Sequence, residues 1–343
     1  MPTFNHDDPN FASLSQRYED FVSSSPYGVF MQSIVWAKIK NTWNADYVYL
    51  EDENGNIKAA MSLVSISNDG GESSFTYAPG APVCDFSDRA LVEELIREAE
   101  PVLQARRSFL LRISSYALWN QELVDLWEQS QYILRSRGVD PHDFANPRME
   151  MKLDLRDLDL DDPLATFTSG VRNKMRKGEK RGVSSRYVTV DSPDYADVLD
   201  KFYDLTEIMS KRQGIKHRSH EYFDRMMRSF PDTKLWLTEH ESGLPLASCL
   251  MVNYAGTANY VYAASSNDMT QTRPSFQMNY NALVQAKKDG MHTYNMGGIF
   301  AVDPENGLYN FKERICGSEG LREYIGELDV VKNQAKYDDF LNR

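Results

Sequence analysis

A strand–turn–strand–strand–helix pattern occurs twice in this chain, and it restricts the possible folds more than any other feature. Each copy opens with two segments in which apolar and polar residues alternate. A glycine-containing turn joins them, which is typical of a β-hairpin. A further strand and a helix follow each hairpin: residues 47–67, 74–78 and 89–105 form the first copy, and residues 235–254, 258–264 and 274–289 form the second. Matching residues stand at one constant offset: Glu51 with Glu239, Gly55 with Gly243, and Ala59 with Ala247. The repeat predicts two copies of one small α/β domain, although two unrelated hairpins would give the same pattern.

The size and composition of the chain fit two globular domains. Its 343 residues suffice for about two domains. Apolar residues make up 41% of the chain and aromatic residues 12%, which is enough to build a buried core in each domain. The first ten residues, MPTFNHDDPN, have neither a basic start nor an apolar run, so no signal peptide is expected. No uncharged apolar run reaches the length of about 18 residues that a transmembrane helix needs. We therefore expect a cytoplasmic monomer without integral membrane contact.

The cysteines and histidines do not form a metal-binding pattern. Cys84, Cys249 and Cys316 are isolated and odd in number, which is typical of reduced thiols in a cytosolic protein. His217 and His220 stand three positions apart, but no cysteine or carboxylate set completes a site around them. We expect neither a metal nor another cofactor.

A basic segment between the two copies stands out in an acidic chain. The formal net charge is −12, which argues against a protein that coats nucleic acid. A run of cations with a single acid, Glu179, nevertheless precedes a predicted strand: Arg172, Lys174, Arg176, Lys177, Lys180 and Arg181. Such a run is either a solvated face or a positive edge that holds one RNA end by its phosphates.

The segment after the second copy combines paired glycines with a lysine that follows two aromatic residues. Gly297-Gly298 follow a strand-like run and indicate a place where the backbone must approach a ligand or another strand closely. A turn then leads to Lys312, which is preceded by Tyr309 and Phe311. Either this segment is a strand, turn and helix with a solvated lysine, or Lys312 is a fixed cation that faces developing negative charge.

Two other segments contain residues suited to a phosphorylated ligand. Residues 30–43 place apolar residues at helical spacing and end with Lys38, Lys40 and Trp43, which are suited to phosphate and to a base or sugar. Arg218 and Tyr222 lie four positions apart, so a helix that begins near Ser219 would bring them together at its start. A packed helix with solvated lysines remains the alternative for the first segment.

The sequence from Gly297 to Asp329 resembles the C-terminal signature of a known family. GGI, LYNFK and EYIGELD are similar to the Fem family of tRNA-dependent aminoacyl transferases, which build peptidoglycan cross-bridges. QSIVWAKIK and GIKHRSHEYF are similar to two further segments of that family, and the resemblance covers nearly the whole chain. It implies an α/β (α+β) fold of two tandem acetyltransferase-like (GNAT) domains, with mixed central sheets flanked by helices. The expected bounds are residues 1–150, residues 151–325, and a C-terminal tail, residues 326–343, that packs on the first domain.

The resemblance also implies a role for individual residues. The family lysine that stabilises the anionic intermediate corresponds to Lys312. The UDP-linked precursor is expected to bind Lys38, Lys40, Trp43, Lys216, Arg218, Tyr222 and Tyr262, and the acceptor arm of aminoacyl-tRNA is expected to bind the basic run. Tyr262 could equally be an aromatic residue of a strand core. Some family members place a catalytic aspartate where this chain has Ser114, so Glu327, the substrate or water remain candidates for proton removal.

The resemblance is greatest for the compact branch of the family. Branches that act on a lipid-linked precursor often carry a long helical arm in the second domain, whereas residues 192–230 predict two shorter helices. The soluble UDP-MurNAc-pentapeptide is therefore the expected acceptor, and alanine is expected as the amino acid ahead of serine or glycine. Two alternatives are a coenzyme-A-dependent GNAT acyltransferase, whose Q/RxxGxG/A loop we do not find, and a non-catalytic RNA- or nucleotide-binding protein.

Overall fold

The computed structural model describes residues 3–342, which divide into two compact units. The first unit contains residues 3–149 and 322–342, and the second contains residues 150–321. Before residue 149 the elements are β1 (Thr3–Asn5), α1 (Phe11–Ser24), α2 (Ile34–Ile39), β2 (Asn44–Glu51), β3 (Ile57–Ile66), β4 (Ser74–Pro79), α3 (Arg89–Glu98), α4 (Glu100–Ala105), β5 (Ser108–Leu118), α5 (Gln121–Glu128) and β6 (Ile133–Arg135).

The remaining elements belong mainly to the second unit. They are β7 (Met149–Asp154), α6 (Ser169–Arg176), β8 (Val183–Val188), α7 (Tyr195–Gln213), α8 (His220–Ser229), β9 (Thr233–His240), β10 (Pro245–Tyr254), β11 (Thr257–Ser265), α9 (Pro274–Lys288), β12 (Thr293–Ile299) and α10 (Gly307–Cys316). The chain ends with β13 (Leu321–Val331) and α11 (Gln334–Leu341), which lie with the first unit. None of the helices described here is long and apolar enough to cross a membrane.

The first unit is a mixed sheet with its strands in the order β1-β2-β3-β4-β5-β13. All neighbouring strands are antiparallel except β4 and β5, which are parallel and are connected through α3 and α4. Apolar side chains of the sheet and of α3, α4 and α5 form one buried core. The helix predicted over residues 89–105 is two helices, because Pro101 supplies no backbone N–H and the first helix ends at Glu98.

The second unit repeats this plan. Its strands follow the order β7-β12-β11-β10-β9-β8, with β11 and β12 parallel and connected through α9. Helix α7 packs on β10 and β11, and α9 packs on β8, β9 and β10. Phe202 of α7 and Phe223 of α8 are both buried, with ring centroids 4.9 Å apart.

The register of the two hairpins confirms the predicted repeat. Leu50 pairs with Ala59 in the first hairpin, and Thr238 pairs with Ala247 at the corresponding position of the second. The next pairs toward the turn are Glu51 with Ile57 and Glu239 with Pro245, so one extra residue interrupts each ladder at the same step. A shared bulge at the same position is what duplication of one domain produces.

The parallel strand pairs of the two units differ, and this difference creates the site. In the first unit β4 and β5 stay paired from Ser74 to Pro79. In the second unit β11 and β12 pair only from Thr257 with Thr293 to Asn259 with Asn295. Because both strands continue for several residues after the last pair, they separate and leave an open cleft at their C-terminal ends.

Candidate active site

The cleft between β11 and β12 is a groove of about 590 Å³ within the second unit. Its walls come from residues 260, 261 and 263–265 of β11, residues 296–298 of β12, the start of α10 and the last turns of α7. A β-bulge at Val261 shapes the β11 wall, since Leu250 of β10 pairs with Tyr262 and Met251 pairs with Tyr260. The extra residue directs the two tyrosines to different helices: Tyr260 bonds to Asn279 of α9, whereas Tyr262 bonds to Tyr222 of α8.

The paired glycines lie on the β12 wall of the groove. Gly297 has a φ of +76°, a conformation that side-chain-bearing residues rarely adopt. A Cβ at this position would lie 3.5 Å from the carbonyl oxygen of Tyr260 and 3.8 Å from Nζ of Lys312. The backbone therefore passes close to a neighbouring strand and to the lysine at the same point.

Lys312 is a buried cation at this groove. Asn306 caps the start of α10 by accepting hydrogen bonds from the backbone N–H groups of Leu308 and Tyr309. The Lys312 side chain, 6% exposed, donates from Nζ to the carbonyl oxygen of Gly298 at 2.7 Å. Burial lowers the pKa of Lys312 from 10.5 to about 8, while the negative charge of Glu150 acts in the opposite direction. Lys312 is thus not the solvated lysine that the local sequence allows.

Three cations and two phenylalanines gather beside the groove. Phe311 lines the groove, and its ring meets the edge of Phe276 with centroids 5.1 Å apart. Lys174 of α6 lies over the Phe276 ring at 5.3 Å. Arg273 precedes Phe276 by three residues and Arg314 follows Phe311 by three, so each arginine is about one turn from a phenylalanine.

This cation cluster, Lys174 with Arg273 and Arg314, carries an uncompensated positive charge. Within residues 3–342, no carboxylate lies at ion-pair distance from any of the three side chains. Burial, and then the charges of Arg314 and Arg273, lower the pKa of Lys174. A group of like charges without acidic partners is suited to an anionic ligand.

The basic run continues from this cluster along the surface of the second unit. Val171 and Met175 are the buried face of α6, so the charged residues of that helix point outward. Gly182 then adopts a left-handed conformation, with φ of +68°, and begins the turn into β8. The run is therefore divided between a short helix, the residue that follows it and one turn of 3-10 helix: Arg172, Lys174 and Arg176 lie in α6, Lys177 comes next, and Lys180 and Arg181 lie in the 3-10 turn.

Arg218, Tyr222 and Tyr262 lie together at the start of α8. Ser219 caps this helix by accepting a hydrogen bond from the backbone N–H of Tyr222. The guanidinium carbon of Arg218 lies 5.3 Å from the centroid of the Tyr222 ring, and the hydroxyl of Tyr262 donates to that of Tyr222 at 3.2 Å. Arg225, which the sequence did not single out, lies 5.8 Å from the same ring centroid. Lys216 is exposed in the preceding loop.

The two histidines of this region have other contacts. Nδ1 of His217 lies 2.8 Å from the carbonyl oxygen of Arg218, and Nε2 of His220 lies 2.9 Å from a carboxylate oxygen of Asp200. In the described part of the chain, no group of three or more His, Cys, Asp or Glu side chains is placed to hold a metal ion.

Lys38, Lys40 and Trp43 lie at the end of α2 in the first unit. Nζ of Lys40 is 5.4 Å from the Trp36 ring centroid and 5.5 Å from that of Trp43, so the ammonium is held by two indoles. Lys38 is exposed to solvent. The structure thus forms a cationic and aromatic surface here, although helix α2 is shorter than the helical pattern of residues 30–43 predicts.

The residues considered for proton removal are also in the first unit. Ser114 of β5 pairs in register with Glu327 of β13. The Glu327 carboxylate is 1% exposed, accepts from the backbone N–H of Ala145 at 2.7 Å, and lies 3.3 Å from both Arg112 and Arg135. Burial raises its pKa in spite of these partners. Glu327 is therefore a buried member of an ion cluster that also contains Asp329.

The comparisons with known proteins agree on one family. A sequence model of the FemAB family matches residues 14–238 and 233–340. The UDP-N-acetylmuramoylpentapeptide-lysine N(6)-alanyltransferase of Weissella viridescens is 33% identical over 347 residues, covering 99% of each chain. The lipid II:glycine glycyltransferase of Staphylococcus haemolyticus (strain JCSC1435) is 24% identical over 400 residues, covering 94% of this chain and 93% of that protein.

Two solved structures share the fold. The crystal structure of FemX superposes with a TM-score of 0.82 at 20% identity and covers 99% of this chain and 100% of that one. A tandem GNAT protein from the clavulanic acid biosynthesis pathway superposes with a TM-score of 0.55 at 10% identity, covering 96% and 97%. The predicted fold class, two tandem GNAT-like domains, is confirmed.

Proposed function

This chain belongs to the FemAB family, and from that membership we propose that it is a tRNA-dependent aminoacyltransferase of peptidoglycan cross-bridge synthesis. It transfers an amino acid from aminoacyl-tRNA to the stem-peptide lysine ε-amine of UDP-MurNAc-pentapeptide. The printed name of the Weissella relative, an alanyltransferase acting on that pentapeptide, supports this acceptor and makes alanine the first choice ahead of serine and glycine.

The observation that carries the mechanism is the buried ammonium of Lys312 beside an open groove. The attacking amine adds to the ester carbonyl, forms the new C–N bond and creates a negatively charged tetrahedral intermediate. A fixed ammonium in a poorly hydrated site stabilises that oxyanion strongly, because it does not have to reorganise during the reaction. The bond to the ribose oxygen then breaks, the ribose oxygen takes a proton, and the nitrogen loses one.

This role requires Lys312 to be protonated. Its pKa of about 8 keeps most of the population charged at neutral pH. The attacking amine, in contrast, must be neutral, and its neutral fraction rises with pH. An ordinary lysine amine has a pKa near 10.4, so above pH 8 its neutral fraction still rises while the charged fraction of Lys312 falls. Transfer is therefore expected to rise with pH and to level off above about pH 8.

We assign the donor RNA to the second unit. The cation cluster lies beside the groove and is suited to the last phosphates of a tRNA acceptor end, while the outward basic run is suited to phosphates farther along the arm. The phenylalanine pair supplies an apolar wall next to the cations. The protein as a whole is acidic, so binding is confined to this surface.

We assign the diphosphate of the precursor to Arg218, with the hydroxyls of Tyr222 and Tyr262 as neighbouring donors. An exposed guanidinium next to the capped start of a ten-residue helix is a favourable environment for a phosphate. Lys216 adds charge in the preceding loop. Lys38, Lys40 and Trp43 of the first unit are proposed to bind the same precursor, so the first unit contributes to precursor binding.

A soluble acceptor fits the helices of the second unit. Only the short segment of residues 214–219 separates α7 from α8, and the two helices have 19 and 10 residues. Neither helix forms the long arm found in branches that act on lipid-linked precursor. Charged tRNA and the UDP-linked precursor are both cytoplasmic molecules, and we place the reaction in the cytoplasm.

The experiment is an incubation of the purified protein with individual charged tRNAs and either UDP-MurNAc-pentapeptide or its lipid-linked form. The expected product is the UDP-linked pentapeptide heavier by one alanyl residue. A tRNA-free reaction with acetyl-coenzyme A tests the acyltransferase alternative. Formation of an acetylated product there, with no product from any charged tRNA, would overturn the proposal.

A further inference from the structure

Asn295 occupies the point where the parallel ladder of the second unit stops. It pairs with Asn259 of β11 in the last register position of β12. Beyond that point β12 is no longer paired with β11, and a backbone N–H that is shielded from water without an acceptor is costly. Oδ1 of Asn295 accepts a hydrogen bond from Gly297 N at 2.8 Å. The Asn295 side chain thus supplies an acceptor for Gly297 N–H at the point where the β11–β12 ladder ends.

A buried carboxylate holds the other end of the Asn295 amide. Nδ2 of Asn295 donates to Oε2 of Glu150 on β7 at 3.1 Å, and both side chains are less than 10% exposed. Lys152, two residues along β7, lies 3.2 Å from the same carboxylate oxygen. Because Oε2 accepts from Nδ2, the amide is oriented with its oxygen toward Gly297.

The chain of contacts continues to the ammonium. Gly297 is bonded to Asn295, and the next residue, Gly298, accepts the hydrogen bond from Lys312 at 2.7 Å. The conformation of these two glycines therefore determines where Nζ is held. Other ionisable groups near Lys312 are Cys316 on its own helix, Tyr260 on the β11 wall and Arg212 on the α7 wall. Glu150 is the carboxylate whose negative charge acts on the ammonium.

We propose that Glu150 and Asn295 are positioning residues for transfer, Asn295 by fixing the Gly297-Gly298 backbone and Glu150 by orienting Asn295 and placing its negative charge in the hydrogen-bond network that holds Lys312. This inference rests on the proposed function for its kinetic consequences, but the charge state of Lys312 can be measured without any turnover. Neither residue lines the groove, so their effects pass through the position and the protonation of the lysine.

The charge of Glu150 is tested with Glu150→Gln, which keeps the size of the side chain and an oxygen that can accept from Asn295. Loss of a nearby negative charge makes Lys312 easier to deprotonate, so its titration should move to lower pH by about one unit. The titration is followed by NMR of ¹³C-labelled lysine, with the Lys312→Met spectrum identifying the signal. Glu313→Gln is the matched control, because Glu313 is adjacent in sequence but is not a cause of the shift.

In the active enzyme, the pH above which kcat levels off should move down in parallel with the NMR titration in Glu150→Gln, with KM for both substrates little changed. An unchanged Lys312 titration in Glu150→Gln, or an equal change in Glu313→Gln, would overturn the role of Glu150. If the wild-type protein transfers nothing while the NMR shift occurs, the proposed function fails and the charge coupling stands.

The role of Asn295 is tested with Asn295→Ala. The freed Gly297 N–H and the loosened glycines should lower kcat by about 10-fold or more at every pH, while the KM for precursor stays near the wild-type value. The pH above which kcat levels off should change less than in Glu150→Gln, because the carboxylate is still present. A wild-type kcat in Asn295→Ala would contradict its positioning role.

Discussion

At the scale of single residues, the burial of Lys312 reduces stability for the sake of the site. Its folded pKa of about 8 lies below the ordinary 10.5, so the folded protein holds this proton less tightly than the unfolded chain does. The loss of stability caused by burying the charged lysine is therefore fully present below pH 8 and disappears as pH rises toward 10.5. A shift of this size corresponds to about 3 kcal/mol before other contacts are counted.

Lys312→Met is accordingly expected to stabilise the protein while it abolishes transfer. Met fills similar space without a charge, but it leaves the Gly298 carbonyl without its donor, so the net gain is about 1–2 kcal/mol at pH 7. Urea unfolding at pH 7 and pH 10 measures it, and the gain should be smaller at pH 10. A variant less stable than wild type at pH 7, or a gain that does not depend on pH, would contradict the buried-cation account.

Gly297→Ala tests the backbone conformation beside the lysine. A side chain at a φ of +76° costs about 1 kcal/mol, and relief of that strain would move the glycines that hold Nζ. Both stability and kcat should fall. Gly243→Ala, at a φ of +82° in an exposed hairpin turn with no atoms near the new Cβ, is the control and should lose similar stability with wild-type kcat. Equal kcat for the two variants would show that Gly297 has no role in the site.

Residue identity alone predicted only part of this environment. The motif around Lys312 singled out the lysine on α10, but Glu150 and Asn295, which belong to its hydrogen-bond network, lie on β7 and β12. Arg273 and Arg314 likewise become neighbours of Lys174 only through the contact of α9 with α6 and of Phe276 with Phe311. No local spacing contains that information, because the three segments are far apart in sequence.

At the scale of elements, short sequence patterns predicted the features that depend on adjacent residues. The cap at Asp88, the turns at Asn54-Gly55 and Ser242-Gly243, and the start of α8 after Ser219 follow from side-chain and backbone preferences of adjacent residues. The separation of β11 from β12 and the bulge at Val261 depend on which strands are neighbours. These tertiary features shape the groove, and the sequence pattern did not contain them.

The start of α8 is tested with Arg218→Ala. Removal of the guanidinium should weaken binding of UDP-MurNAc-pentapeptide by about 10-fold or more, since charge-assisted contacts to phosphate contribute about 1.5–3 kcal/mol. Isothermal titration calorimetry measures the affinity. Arg228→Ala removes an exposed arginine from the same helix, where it pairs with Asp224, and should bind normally. Unchanged affinity in Arg218→Ala would remove this residue from the site.

At the scale of the whole molecule, an acidic protein is proposed to bind RNA through one positive surface. Affinity for charged tRNA should therefore fall steeply with salt, and each phosphate contact removed should reduce the log–log slope by about one. Filter binding of Lys177→Ala and Lys180→Ala at several salt concentrations tests this. Lys288→Ala, an exposed cation at the far end of α9, is the control. Wild-type slopes in the first two variants would place the tRNA elsewhere.

The repeat was the most reliable global prediction, because its register is encoded twice in the same chain. The unequal opening of the two parallel strand pairs was not predictable from that repeat, since it is the point where the copies differ. The site thus lies at a feature that the second copy does not share with the first.

The most direct measurement of the central claim is alanyl transfer by Lys312→Ala, with calorimetric binding of UDP-MurNAc-pentapeptide on the same preparation. Loss of the oxyanion-stabilising ammonium should lower the transfer rate by about 10²–10³-fold or more while the affinity for the precursor stays near that of wild type. Transfer at close to the wild-type rate by a variant that binds the precursor normally would contradict the assignment of the groove as the active site.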